Sequence, residues 1–117
     1  MKDRSIKALA AELKKFAAER DWDQFHSPKN LAMALAVECA EIMEHFQWLT
    51  ENQSSALPPE KLQQVQEEIG DVLIYLTRLA DMLGVDPLEA AAQKLEVNRR
   101  KYPADKVRGT AKKYTEL

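Results

Sequence analysis

Twice in this chain a side chain suited to capping a helix is followed at once by proline, at Ser27-Pro28 and at Asp86-Pro87. Ser and Asp accept hydrogen bonds from the free N–H groups of a first turn. Proline fits the first helical position because the donor it lacks is one the helix leaves unbonded there anyway. Each pair therefore predicts a helix start. Leu31, Leu35, Cys39, Ile42, Met43, Phe46 and Leu49 recur at helical spacing after the first, so that helix is expected to run to about Thr50. After the second, Glu89 adds a third-position carboxylate, and the helix is expected to reach Pro103 at most.

Two more helices fill the pattern. Residues 5 to 20 place Ile6, Leu9, Ala10, Leu13, Phe16 and Ala17 at helical spacing among Lys and Glu. Leu62, Val65, Ile69, Val72, Leu73, Leu76, Leu79 and Leu83 mark a long helix stopped at Gly84, and ENQSSALPP before it reads as a loop. With 45% hydrophobic residues, 31% charged residues and only 3 Gly, the composition fits a folded helical protein and argues against a β-sandwich or a disordered chain. The expected architecture is an all-α, four-helix bundle-type fold in a single domain over residues 1–117, with residues 104–117 as an extended basic tail. A chain of this size has a modest core, so a homo-oligomer, dimer or tetramer, in which two chains share a core is expected ahead of a monomer.

Charge is unevenly placed. The formal net charge is only -2, which does not advertise a nucleic-acid polymer or an anionic membrane as partner. Residues 38 to 71 nevertheless hold eight acids against the single base Lys61, and residues 94 to 117 hold eight bases against three acids. Cys39 is the only cysteine, so one chain can build neither a disulfide nor a thiolate zinc site. The N-terminal stretch alternates charged and apolar residues and reads as neither a signal peptide nor a membrane span, so the expected location is the cytoplasm.

The acids are arranged by helix geometry. Glu38 and Glu41 stand three apart and share one helix face, and Glu68 and Asp71 repeat that spacing on the next long helix. Both pairs flank apolar stripes. If the stripes face each other, the four carboxylates gather at the edge of a low-dielectric core, where they raise one another's pKa unless cations neutralise them. Hard oxygen ligands suit Mg²⁺, with Mn²⁺ as a substitute. A di-iron centre requires Glu-x-x-His on two helices, and no glutamate stands three residues before His26 or His45. An acidic site loaded with metal attracts a polyphosphate, and the basic C-terminal segment can screen the remaining phosphate charge. Spacing alone leaves solvated surface charge as a competing explanation.

Five segments in order, ERDWDQFHSPKNL, ALAVECAEIMEHFQW, EEIGDVLIYLTRLA, KLEVNRRKYP and RGTAKKYTEL, carry a resemblance to a known family. Together they resemble the MazG-like all-α nucleoside triphosphate pyrophosphatases, and within them the dCTP pyrophosphatase branch. The resemblance implies a Mg²⁺-dependent hydrolase that converts a deoxynucleoside triphosphate, dCTP or modified dCTP foremost, to the monophosphate and pyrophosphate, cleaning the nucleotide pool. It implies Glu38, Glu41, Glu68 and Asp71 as metal ligands. It implies Trp22, His26, Trp48, Lys94, Asn98 and Tyr102 around the base, sugar and phosphates. Where the wider superfamily commonly shows Glu-Glu-x-x-Glu, this chain has Val37-Glu38-Cys39-Ala40-Glu41, and the dCTP branch resembles it in that respect. The proton of the attacking water then falls to Glu41 or to a hydroxide held by the metal, with Glu38 beside it.

Residue chemistry supports part of this list. An aromatic face stacks on any base, and the Asn98 amide offers both a donor and an acceptor to a base edge. Lys94, one turn earlier, is in place to reach a phosphate, and Tyr75, four residues after Asp71, to touch one. Trp22, Trp48 and Tyr75 also fit plain hydrophobic packing, and His26 fits a structural role in the capping loop. Two other functions stay open at this point: the same chemistry on dATP, dUTP or a damaged nucleotide, and a non-catalytic helical module that binds metal or a basic partner.

Overall fold

The computed structural model describes residues 1–117, and every regular element in it is helical. Six α-helices follow in order: α1 (Ile6–Glu19), α2 (Pro28–Phe46), α3 (Glu51–Ser54), α4 (Pro59–Met82), α5 (Pro87–Lys101) and α6 (Ala104–Val107). Single 3₁₀ turns lie at Asp23–Phe25 and Tyr114–Glu116. No helix is long and apolar enough to cross a membrane. The chain divides into two compact units, Met1–Gly84 and Val85–Leu117.

Local chemistry explains the boundaries. Ser5 accepts from the Ala8 N–H at 3.0 Å, Ser27 from the Asn30 N–H at 3.2 Å, and Asp86 from the Leu88 and Glu89 N–H groups at 2.9 and 3.1 Å. These caps satisfy donors that a first turn leaves free. Gly84, at φ 67°, supplies the left-handed residue just past α4 that ends a helix cheaply only when it is glycine. At the end of α1 the same left-handed place is taken by Asp21, at φ 54°, a residue type that tolerates it.

Two expectations for the chain before α4 need correcting. Helix α2 stops at Phe46 rather than near Thr50, and the supposed loop ENQSSALPP contains the one-turn helix α3. The reason lies in two side chains. Thr50 accepts from the Gln53 N–H while the Gln53 amide oxygen accepts from the Thr50 N–H, a capping box that starts a new helix at the point where the first was expected to end.

Within Met1–Gly84, α4 packs against both α2 and α1. The buried apolar side chains are few: Ala17, Leu31, Val65 and Ala80. The α4 stripe does not turn inward as a whole, since Leu62, Ile69, Leu73, Leu76 and Leu83 stay exposed. A helix meets its neighbours along a limited arc, and polar residues occupy part of that arc on α4. Thr77 and Arg78 are buried there, and Glu68 and Tyr75 are half-buried.

Within Val85–Leu117, α5 is followed by α6 and a short C-terminal stretch, so residues 104–117 are not extended throughout as expected but hold a one-turn helix and a 3₁₀ turn. The Tyr102 and Tyr114 rings meet edge-on, 6.2 Å between centroids, and the Lys101 ammonium lies 4.6 Å from the Tyr114 ring centre.

Candidate functional site

The packing of α2 on α4 carries the two acidic pairs toward each other. One carboxylate oxygen each from Glu38, Glu41 and Glu68 comes within 4.8 Å of the other two, and all three residues are half-buried. Oε2 of Glu38 and Oε2 of Glu68 are shielded from solvent and have no hydrogen-bond partner. Such orphaned oxygens are costly and uncommon. Burial, followed by the hydrogen bond and charge of Glu41 and the charge of Asp71, pushes the Glu38 carboxyl up to about 7. Glu68 is raised as well, first through the proton it would share with Glu41 and then through burial. Crowded, partly dried carboxylates of this kind fit a hard divalent cation, which would neutralise them and take up the free lone pairs.

Asp71, three residues beyond Glu68, is exposed and stands beside the three-acid group, where its charge raises both Glu38 and Glu68. It also lines a cavity of about 490 Å³ whose walls include Phe16, Trp22, His26, Ile74, Tyr75 and Arg78. The local fold places Trp22. At the end of α1 the Trp22 N–H donates to the Ala17 carbonyl and the Asp21 N–H to the Ala18 carbonyl, the paired bonds of a Schellman turn. That turn sets the Trp22 ring edge-on to Phe16 at 5.6 Å, and His26 is edge-on to Trp22 at 6.3 Å. An acidic cluster and an aromatic-walled cavity thus meet at Asp71. Such an arrangement can hold a cation beside a flat ring.

Comparison with known proteins places the chain in a family. The family model described as MazG-like matches residues 33–117. The chain belongs to the MazG-like family. It is 49% identical over 114 residues to dCTP pyrophosphatase 1 of Mus musculus and 47% identical to dCTP pyrophosphatase 1 of Homo sapiens. Those alignments cover 96% of this chain and 65% of each relative, so the chain spans just under two thirds of their length. The crystal structure of a pyrophosphatase from Archaeoglobus fulgidus superposes with a TM-score of 0.80 at 39% identity, over 86% of this chain and 94% of that one.

Trp48 follows the end of α2, is 87% exposed, and does not line the cavity. Lys94 and Asn98 stand one turn apart on α5, and Tyr102 caps that helix, all within Val85–Leu117.

Three polar residues near the acids and the cavity were not anticipated. The Lys61 ammonium lies 3.2 Å from Nδ1 of His45, and Nε2 of His45 lies 3.8 Å from Glu68 Oε1. A donor at Nδ1 leaves the imidazole proton on Nε2, on the side of Glu68. Lys61 was visible as the one base in an acidic stretch, and that was the available signal. The third is Arg78, whose side chain is 5% exposed. It donates from Nη2 to Asp23 Oδ1 at 2.7 Å and from Nε to His26 Nδ1 at 3.2 Å, while Nη1 lies 3.7 Å from Asp81 Oδ2. Burial, the Arg78 charge and a smaller opposing effect of Asp23 together hold the His26 pKa below its usual value. A cation inside the apolar pattern LTRLA was the sequence signal for it.

Proposed function

We propose that this MazG-like chain hydrolyses deoxynucleoside triphosphates, dCTP and modified dCTP foremost, to the nucleoside monophosphate and pyrophosphate, with Mg²⁺ held by Glu38, Glu41, Glu68 and Asp71. The observation that carries the reading is the three-acid group with its two orphaned, solvent-shielded oxygens, next to an aromatic-walled cavity. The relatives named dCTP pyrophosphatase 1 support the choice of substrate.

In the reaction, water adds across the anhydride between the α and β phosphates. Bound divalent cations supply positive charge against the triphosphate and make water more acidic. Glu41 is the residue proposed to accept the proton of the attacking water, with Glu38 beside it. Trp22 offers a face to the base, and His26 and Tyr75 offer polar contacts from the cavity wall. Lys94, Asn98, Tyr102 and Trp48 are proposed to complete the nucleotide's surroundings, with the Asn98 amide reading a base edge and Lys94 a phosphate. The exposed stripe of Leu62, Ile69, Leu76 and Leu83, at seven-residue intervals along α4, supports a homo-oligomer, dimer or tetramer. Sedimentation tests that part directly.

The decisive experiment incubates purified protein with each canonical deoxynucleoside triphosphate and Mg²⁺, then Mn²⁺, and identifies products by chromatography. Monophosphate plus pyrophosphate, formed fastest from dCTP, is the expected result. Absence of any cleavage with either ion sinks the proposal, and faster cleavage of another nucleotide overturns the substrate while leaving the chemistry.

A further inference from the structure

The Arg78 cluster sits on the cavity wall and draws its counter-charges from the chain itself. Its guanidinium is buried, faces two carboxylates, and still commits its Nε–H to an imidazole nitrogen rather than to a third acid. A guanidinium has donors only and does not lose its proton in proteins, so the nitrogen that faces it must be an acceptor. Nδ1 of His26 therefore carries a lone pair, and in the neutral ring the proton is on Nε2.

We infer that Arg78 is a positioning residue that fixes His26 as the Nε2–H tautomer, so that the cavity offers a hydrogen-bond donor to an acceptor atom on the edge of a bound base. Asp23 and Asp81 hold the guanidinium in register from two sides. Asp23 belongs to the same 3₁₀ turn that leads into His26, so a single Arg–Asp bond and a single Arg–His bond fix the orientation of that turn against α4. The neighbouring Trp22 ring limits rotation of the imidazole from the side. A ring held this way discriminates: a base edge bearing a carbonyl oxygen or an unprotonated ring nitrogen is accepted, and one bearing only donors at that point leaves two N–H groups opposed. The specificity assigned to the cavity then depends on a residue that acts through another. Its consequence for substrate rests on the hydrolysis proposed above, whereas the tautomer does not.

The test has two arms on the full chain. Long-range proton–nitrogen correlation spectra of the wild-type imidazoles should show His26 with an unprotonated Nδ1 and a protonated Nε2. In Arg78→Met the two tautomers should mix. KM for dCTP should rise by about fivefold to tenfold, the worth of one hydrogen bond, with kcat changing much less. His26→Ala should raise KM similarly, and the double variant should be no worse than the single ones. A proton on Nδ1 in the wild type overturns the inference without any variant being made. So does an Arg78→Met effect on KM that persists in full on the His26→Ala background. If no nucleotide is hydrolysed, the proposed function fails, and the wild-type spectrum still decides the tautomer.

Discussion

Helix α4 carries two partly buried charge clusters, and they are neutralised in opposite ways. At its middle, Glu68 and Asp71 meet Glu38 and Glu41, where acid faces acid and two oxygens go without partners. Two turns later Arg78 is more deeply buried, yet it donates to Asp23 and His26 and has the Asp81 carboxylate 3.7 Å away. Removing charge from water is costly in both places, and a chain tolerates it when compensation is at hand. For Arg78 the compensation is intramolecular. For the acids the chain supplies only His45, 3.8 Å from Glu68 Oε1, and leaves two oxygens without partners, which is the difference that supports the proposed cation site.

The comparison breaks most visibly in activity. Glu38→Gln, Glu68→Gln or Asp71→Asn should lower nucleotide hydrolysis at least about 100-fold, equal to about 2.7 kcal/mol of barrier, with the helical circular dichroism retained. Retained turnover in these variants would remove the metal assignment. Arg78→Met should leave kcat largely in place and, besides its effect on KM, lower stability. Its counter-charges are partly exposed and can be rehydrated, so the loss should be about 2 kcal/mol, below the range for a fully buried pair, and thermal melting should report it as a drop of roughly 10 °C.

Acid titration sharpens the contrast further. The Glu38 carboxyl is pushed from 4.5 to about 7 in the folded chain, so the folded state holds that proton more tightly than the unfolded one. Its contribution to stability is complete below about 4.5 and is lost as pH rises through 7. With a chelator present, the melting temperature should therefore fall across that interval, and saturating Mg²⁺ should flatten the slope. Glu38→Gln should melt higher than the parent at pH 8 without metal; a lower melting temperature would mean the cluster is not repulsive. The smallest effect is expected from Asp23→Asn, which weakens one half-exposed contact of an otherwise satisfied cation. About 0.5–1 kcal/mol should be lost, measurable by urea unfolding.

Much of this was legible in the chain. Ser27-Pro28, Asp86-Pro87 and Gly84 marked helix ends because caps, first-turn prolines and left-handed glycines act within a few residues of themselves. Glu38 with Glu41, and Glu68 with Asp71, were readable as pairs because a helix repeats every 3.6 residues. The capping box at Thr50 and Gln53 was equally local and was outweighed by the loop-like composition around it.

The rest depended on which residues distant in sequence become neighbours. His26 and Arg78 are separated by 52 positions, and His45 and Lys61 by 16. No spacing rule connects them. The sequence by itself determined an all-helical chain, its main boundaries and two acidic pairs, because those follow from interactions inside one helix turn. Only the tertiary structure decided that the acids of α2 and α4 crowd together while Leu62, Ile69, Leu73 and Leu76 stay outside, and that Arg78 is answered by Asp23 and His26. The rotation and register of one helix against another are set by how all their side chains fit at once, which is a property of the packed pair and of neither segment alone.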